Sequence, residues 1–212
     1  MCIVKTCGIP LDGSGAPGKG PLDWERLYAE FTANVTDGDC ATLCRRGPDG
    51  LGACCDGARL TLIVFRDELA WARQRTRGWR GGRPRTPAER KGVAAWADHV
   101  AWARCLRPRQ CDRPYRSLTC RLFPLEPHLD AAGGFLGLTY VYEAARLCPL
   151  IGRQLSVRQA FVDQSAAVWR QILATYPEER ACYVRASRQL RSRFARHGRA
   201  IRLWRSTDGF VF

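Results

Sequence analysis

Residues 39–55 read DCATLCRRGPDGLGACC, and four cysteines fall within them: Cys40, Cys44 and the adjacent Cys54 and Cys55. Cys105, Cys111, Cys120 and Cys148 follow. Thiolates are soft, electron-rich ligands that favour zinc, copper(I) or iron–sulfur clusters over hard cations such as magnesium. Eight cysteines, most of them in turn-rich sequence, therefore predict irregular metal-binding loops. The spacing is C-x3-C-x9-C-C, then about fifty residues, then C-x5-C-x8-C and a further Cys148. Close spacings let one short loop deliver two sulfurs to one metal. The side chains of adjacent residues diverge, so Cys54 and Cys55 more easily serve two metals, or two irons of one cluster, than a single tetrahedral ion. No single spacing matches a zinc ribbon or a bacterial ferredoxin run.

The chain has 212 residues, enough to bury a core, and seven Trp with eight Phe argue against disorder. No apolar run reaches membrane-spanning length, and the opening MCIVKT is broken too soon by Gly8 and Pro10 for a signal peptide. These features predict a cytoplasmic protein with reduced thiols. There, 11 cysteines favour metal binding over disulfides, and the odd count leaves one unpaired in any all-disulfide scheme. The net charge of +14 is weaker evidence for a polyanion partner than it looks. Of 34 basic residues only Lys5, Lys19 and Lys91 are lysine, leaving 31 arginines, a skew that suggests the codon choice of a GC-rich genome. Eight bound thiolates would also offset much of the charge.

The pattern predicts a mostly α fold with one or two short β-strands. Residues 21–34 read as a helix with Trp24, Leu27, Tyr28 and Phe31 toward the core. Residues 60–65 read as a strand, followed by a helix from Asp67 to about Arg77 and an exposed loop over 78–85. Thr86, Pro87 and Glu89 form a helix start, with the helix running through Val93, Trp96, Val100 and Ala103 to Cys105. Ser156 and Gln159 form a second capping box before a helix burying Phe161, Val162, Val168, Trp169, Ile172 and Leu173. A last helix runs from Pro177 to near Gly198. The expected domains are an N-terminal loop and helix (1–35), a cysteine-cluster domain (36–155) and a C-terminal helical extension with a basic face (156–212).

The doubled Cys54-Cys55 after two earlier cysteines, followed by a strand and an Asp-led helix, resembles the CxxCxxCC proteins of YkgJ type. Cys105, Cys111 with Tyr115, the run from Arg116 through Cys120, Arg121, Phe123 and Pro124, and a final Cys148 extend the likeness over about residues 39–151. Ser117 stands where that family carries Pro, the loop between Cys44 and Cys54 is longer, and Tyr115 is one residue further from Cys111. The resemblance implies zinc or iron chelation by Cys40, Cys44, Cys54, Cys55, Cys105, Cys111, Cys120 and Cys148. The same region is similar to that of flagellin lysine N-methylases, which implies an iron–sulfur cluster such as 4Fe-4S. Arg116 and Arg121 would then donate to cluster sulfurs, and Tyr115 and Phe123 would fence off water.

Other signals are weaker. Cys2, Cys7 and Cys182 lie outside the pattern and read as small buried hydrophobes. Residues 13–20 nearly match a phosphate loop, but Gly20 stands where Ser or Thr must be. Of the histidines, His99 and His197 are far from the cysteine pattern, and His128 is the one that could complete a mixed site. Arginines 185, 188, 191, 193, 196, 199, 202 and 205 recur so as to form a basic helix face for a phosphate backbone, between Arg185 and Arg205. The leading expectation is a cytosolic zinc or iron–sulfur protein, its metal held between the loop of residues 40–55 and the segment 105–148. The rivals are an iron–sulfur enzyme of redox or methyl-transfer type and a nucleic-acid-binding module with structural zinc.

Overall fold

The computed structural model describes residues 22–38, 40–44, 52–55, 62–84, 87, 90 and 98–207. The chain divides into two compact units. The described residues within Gly38–Phe123 and Tyr142–Leu155 form the first, and those up to Asp37, within Pro124–Val141 and from Ser156 onward form the second.

The first unit is built on a three-stranded antiparallel sheet. Strands β1 (Leu62–Phe65), β2 (Trp79–Gly81) and β3 (Val100–Cys105) are ordered β1-β3-β2. The apolar run LIVF forms β1, as its β-branched content predicts. Helix α2 (Arg66–Ala72) follows at once and lays Leu69 and Ala72 against Leu62, Val64, Trp79 and Ala103.

Three expectations fail here. Val100–Cys105 is the central strand and not the end of a helix. Ala101, Ala103 and Cys105 alternate onto one sheet face, and a strand on each edge satisfies the backbone, so pairing overrides helical periodicity. Of the expected helix, Pro87 and Arg90 are helical, and residues 86, 88, 89 and 91–97 lie outside the described residues. The loop expected over 78–85 contains β2 instead, because Trp79, only 6% exposed, pairs with Cys105 and joins the core. Helix α2 also stops five residues short of Arg77. Arg75 N and Thr76 N both bond to Ala72 O at 2.9 Å, and the Thr76 hydroxyl accepts from Gly78 N at 3.0 Å, turning the chain into β2. Short helices α3 (Leu118–Leu122) and α4 (Pro149–Gly152) complete this unit.

In the second unit, α1 (Trp24–Glu30) is capped by Asp23, which accepts from Arg26 N at 3.0 Å, and buries Trp24, Leu27 and Tyr28 as predicted. Helices α5 (Gln159–Thr175) and α6 (Pro177–Arg196) are joined by Tyr176 alone. Trp169 meets Tyr183 edge-on at 4.9 Å between them. The second capping box is displaced: Arg158, not Ser156, is the N-cap of α5, since Arg158 N donates to Val35 O (2.9 Å) and Val157 is buried in extended chain. A hairpin of β4 (Leu125–Leu129) and β5 (Phe135–Tyr140) is unforeseen, because Pro127 argues against a central strand. Pro127 is tolerated because β4 is an edge strand of a two-stranded sheet. With five strands among the described residues, the fold is mixed helical and antiparallel β, not mostly α with one or two strands. No helix among them is long and apolar enough to cross a membrane.

Gly137 adopts φ +143°, and a Cβ there would stand 2.6 Å from Trp204 O, where the C-terminal segment bridges Leu138. Gly137→Ala should destabilise the protein by about 2 kcal/mol or more through strain and clash. Gly38→Ala, with nothing near its Cβ, should change the urea midpoint little by comparison.

Candidate functional site

None of the eight cysteines of the pattern is in a disulfide, and all fall within the first unit. Cys40 opens a one-turn 3-10 segment (Cys40–Leu43), and Cys54 and Cys55 close another (Ala53–Cys55). Cys55 N donates to Gly52 O at 2.8 Å, which tightens that turn. Cys44 Sγ and Cys54 Sγ stand 3.7 and 3.9 Å from the point a Cβ on Gly52 would occupy, so buried Gly52 is flanked by both sulfurs.

Cys105 takes the last position of β3, opposite Trp79, and packs with Cys120 against the sheet core. Cys120 sits within α3, whose position is set by three hydrogen bonds. Glu68, fully buried in α2, accepts from Leu118 N at 2.7 Å with Oε1 and from Phe65 N at 3.2 Å with Oε2. The Thr119 hydroxyl donates to Ile63 O in β1. Trp79 Nε1 donates to Tyr115 O at 2.8 Å, pinning the loop between Cys111 and Cys120 to β2. Arg121 Nε donates to Arg116 O at 3.2 Å, so Arg121 serves the loop's shape. Glu68 and Trp79 had no functional signal in the sequence.

Cys54, Cys55, Cys105, Cys111 and Cys120 line one cavity of about 70 Å³, with Tyr115 and Phe123 also in its wall as expected. Arg116 and Ser117 line it too. Arg116 Nε is buried without a hydrogen-bond partner, and the buried Ser117 hydroxyl donates toward Cys120. A buried donor left unmatched costs about 1–3 kcal/mol, so a cavity wall that carries one, Arg116 Nε, beside five sulfurs suits an electron-rich occupant.

The thiols are electrostatic neighbours. A hydrogen bond with Cys55, then burial, hold the Cys54 thiol far above its ordinary ionisation, and Cys55, Cys44 and Cys40 add to this. Burial raises Cys148, opposed by the backbone N–H groups of Ile151 and Leu150 and reinforced by Cys44 and Cys40. Burial also raises Cys105, opposed by a backbone hydrogen bond from Arg107 and reinforced by Cys55. Cys111 is raised by burial against the pull of Arg116, with Cys55 and Cys105 raising it further. Burial pushes Cys120 up to about 12, with Ser117 and Arg116 opposing and Cys55 and Cys105 adding.

Among the described residues, no three His, Cys, Asp or Glu side chains stand close enough together to hold one ion as they are. By donor chemistry the set fits a soft metal: five sulfurs line the cavity, with Asp112 the one carboxylate in its wall, and Arg116 and Ser117 stand beside them.

The remaining candidates fall elsewhere. His128 lies on β4 in the second unit, buried, and accepts at Nε2 from Arg191 Nη1 (3.2 Å), so it belongs to that core. His99 lies in a turn stacked on Phe65, and His197 Nδ1 donates to Arg193 O at 2.8 Å. Cys182 is disulfide-bonded, against its reading as a plain buried thiol, while Cys2, Cys7 and the phosphate-loop-like residues 13–20 lie outside the described residues. The arginine face is discontinuous. Arg191 turns inward to donate to Leu129 O (2.6 Å), α6 ends at Arg196, and Arg202 stacks on Trp204 at 4.3 Å. No protein-family model, curated protein or solved structure matches the chain.

Glu68→Gln leaves one oxygen for two backbone donors and should cost about 1–3 kcal/mol in urea unfolding, read against wild type. In metal-free protein the unfolded thiols ionise near 9.0, whereas folded Cys120 stays neutral to about 12. The unfolded chain thus releases its proton first. Stability should hold below pH 9 and fall as pH rises toward 12, with Cys120→Ala flattening part of that slope.

Proposed function

We propose that this chain is a thiolate metal-binding protein, holding zinc or an iron–sulfur cluster on Cys40, Cys44, Cys54, Cys55, Cys105, Cys111, Cys120 and Cys148. One observation carries the reading: these eight cysteines, spread over more than a hundred residues, all belong to one compact unit and none is in a disulfide there. Chance packing of buried cysteine as a small hydrophobe does not require such convergence. The buried Arg116 Nε supports it, since it awaits an acceptor in a wall otherwise rich in sulfur.

Bound zinc would supply a closed structural staple, and a cluster would supply one-electron chemistry. The chain's own contribution is to bring sequence-distant loops together and to keep the sulfurs shielded. Glu68 holds the helix of Cys120, Trp79 holds the loop after Cys111, and Arg116 offers positive charge to Cys111 and Cys120. Because the ligands come from separated segments, metal binding is coupled to folding of this unit.

Anaerobic purification, elemental analysis and an ultraviolet–visible spectrum test the reading. Either bound zinc without colour, or iron with acid-labile sulfide and a brown band, is the expected result. Cys55→Ser should lower metal content and lower the melting temperature, as should a strong chelator on wild type. Wild-type protein that holds no more metal than Cys55→Ser, before and after reconstitution, would overturn it.

A further inference from the structure

We propose that the vicinal pair divides the eight sulfurs between two adjoining sites: Cys40, Cys44, Cys54 and Cys148 form one four-thiolate site, and Cys55, Cys105, Cys111 and Cys120 form the other. This rests on the thiolate metal binding proposed above and specifies how many sites there are and which ligands each takes.

The first argument is stoichiometric. A tetrahedral soft ion takes four sulfurs at about 2.3 Å, so eight exceed what one ion binds. Adjacent residues cannot both point at one such ion without distorting the turn, and the short 3-10 segment ending in Cys55 leaves no intervening residue to relieve it.

The second argument is placement. Cys44 and Cys54 flank the same face of Gly52, whereas Cys55 shares its cavity with Cys105, Cys111 and Cys120. Cys40 opens the 3-10 turn that leads into Cys44, and Cys148 is the remaining one of the eight thiols in this unit. Cys54 also touches the cavity and hydrogen-bonds with Cys55, so the two sites share a wall formed by this pair.

The third argument is the scaffold. The Cys55 set hangs on the β-sheet and on α3, with Cys105 at the end of β3 and Cys120 held through Glu68. The Cys54 set is made of the two 3-10 segments and the residue preceding α4, where Cys148 is buried. Each set closes on its ion as it binds, which couples the ions to two different parts of one unit.

The test uses full-length protein loaded anaerobically with cadmium-113 chloride and examined by cadmium NMR. Wild type should bind two equivalents and show two resonances of equal intensity in the all-thiolate region, without cadmium–cadmium splitting. Cys148→Ser should shift or abolish one resonance and spare the other, and Cys105→Ser should do the reverse. A single equivalent, splitting from a bridging thiolate, or loss of both resonances in a variant that keeps its far-ultraviolet circular dichroism would overturn the division while leaving metal binding intact. If a variant fails to fold, the wild-type resonance count and splitting decide alone. Wild type that binds no cadmium above a variant with all eight cysteines replaced by serine would overturn both the division and the metal reading.

Discussion

A carboxylate with no exposure to solvent organises the cysteine-bearing unit. Glu68 lies in the first turn of α2, directly after β1, and its two oxygens accept from Phe65 N behind it and from Leu118 N fifty residues ahead. A buried acid is costly unless its lone pairs are filled, and backbone N–H groups fill them here. The same bonds satisfy a donor at the start of α3 that the helix itself cannot use. The position of Cys120 therefore depends on a residue that carries no sulfur and stands in another element.

The sheet gives the second constraint. Once β3 lies between β1 and β2, the alternation of its side chains sends Ala101, Ala103 and Cys105 to one face, toward Trp79 and α2. Trp79 then does two things: its ring fills the core, and its indole N–H holds Tyr115 O. The loop between Cys111 and Cys120 has few apolar residues of its own to bury, so it depends on such anchors for its shape. Arg121, in α3, adds another by donating to Arg116 O.

In the second unit the same economy of buried polar groups turns residues with functional appearance into structural ones. Arg191 reads as part of a basic stripe, but its guanidinium satisfies Leu129 O at the end of β4 and meets His128. Asp163 accepts from the backbone N–H and hydroxyl of Thr207, and Gln164 accepts from Thr32 N and Ala33 N, so polar side chains on α5 hold the segments at either end of the unit. Regular arginine spacing is a property of the chain, whereas its use is decided by which carbonyls lie nearby.

The amino-acid sequence by itself determined the long helices, the first strand and the run of eight cysteines. Helical periodicity and apolar runs are local signals, and Phe161, Val168 and Ile172 or the LIVF run needed no distant partner to be legible. It did not determine the fate of residues 100–105 or 79–81, because a strand exists only where another strand lies beside it, and those partners are far away in sequence. Nor did it reveal Glu68 or Ser117, whose roles arise from unmatched backbone and cavity groups that only folding brings near. The vicinal cysteines stand between these cases: their adjacency already argued for two destinations, and the tertiary structure decided which neighbours each sulfur meets.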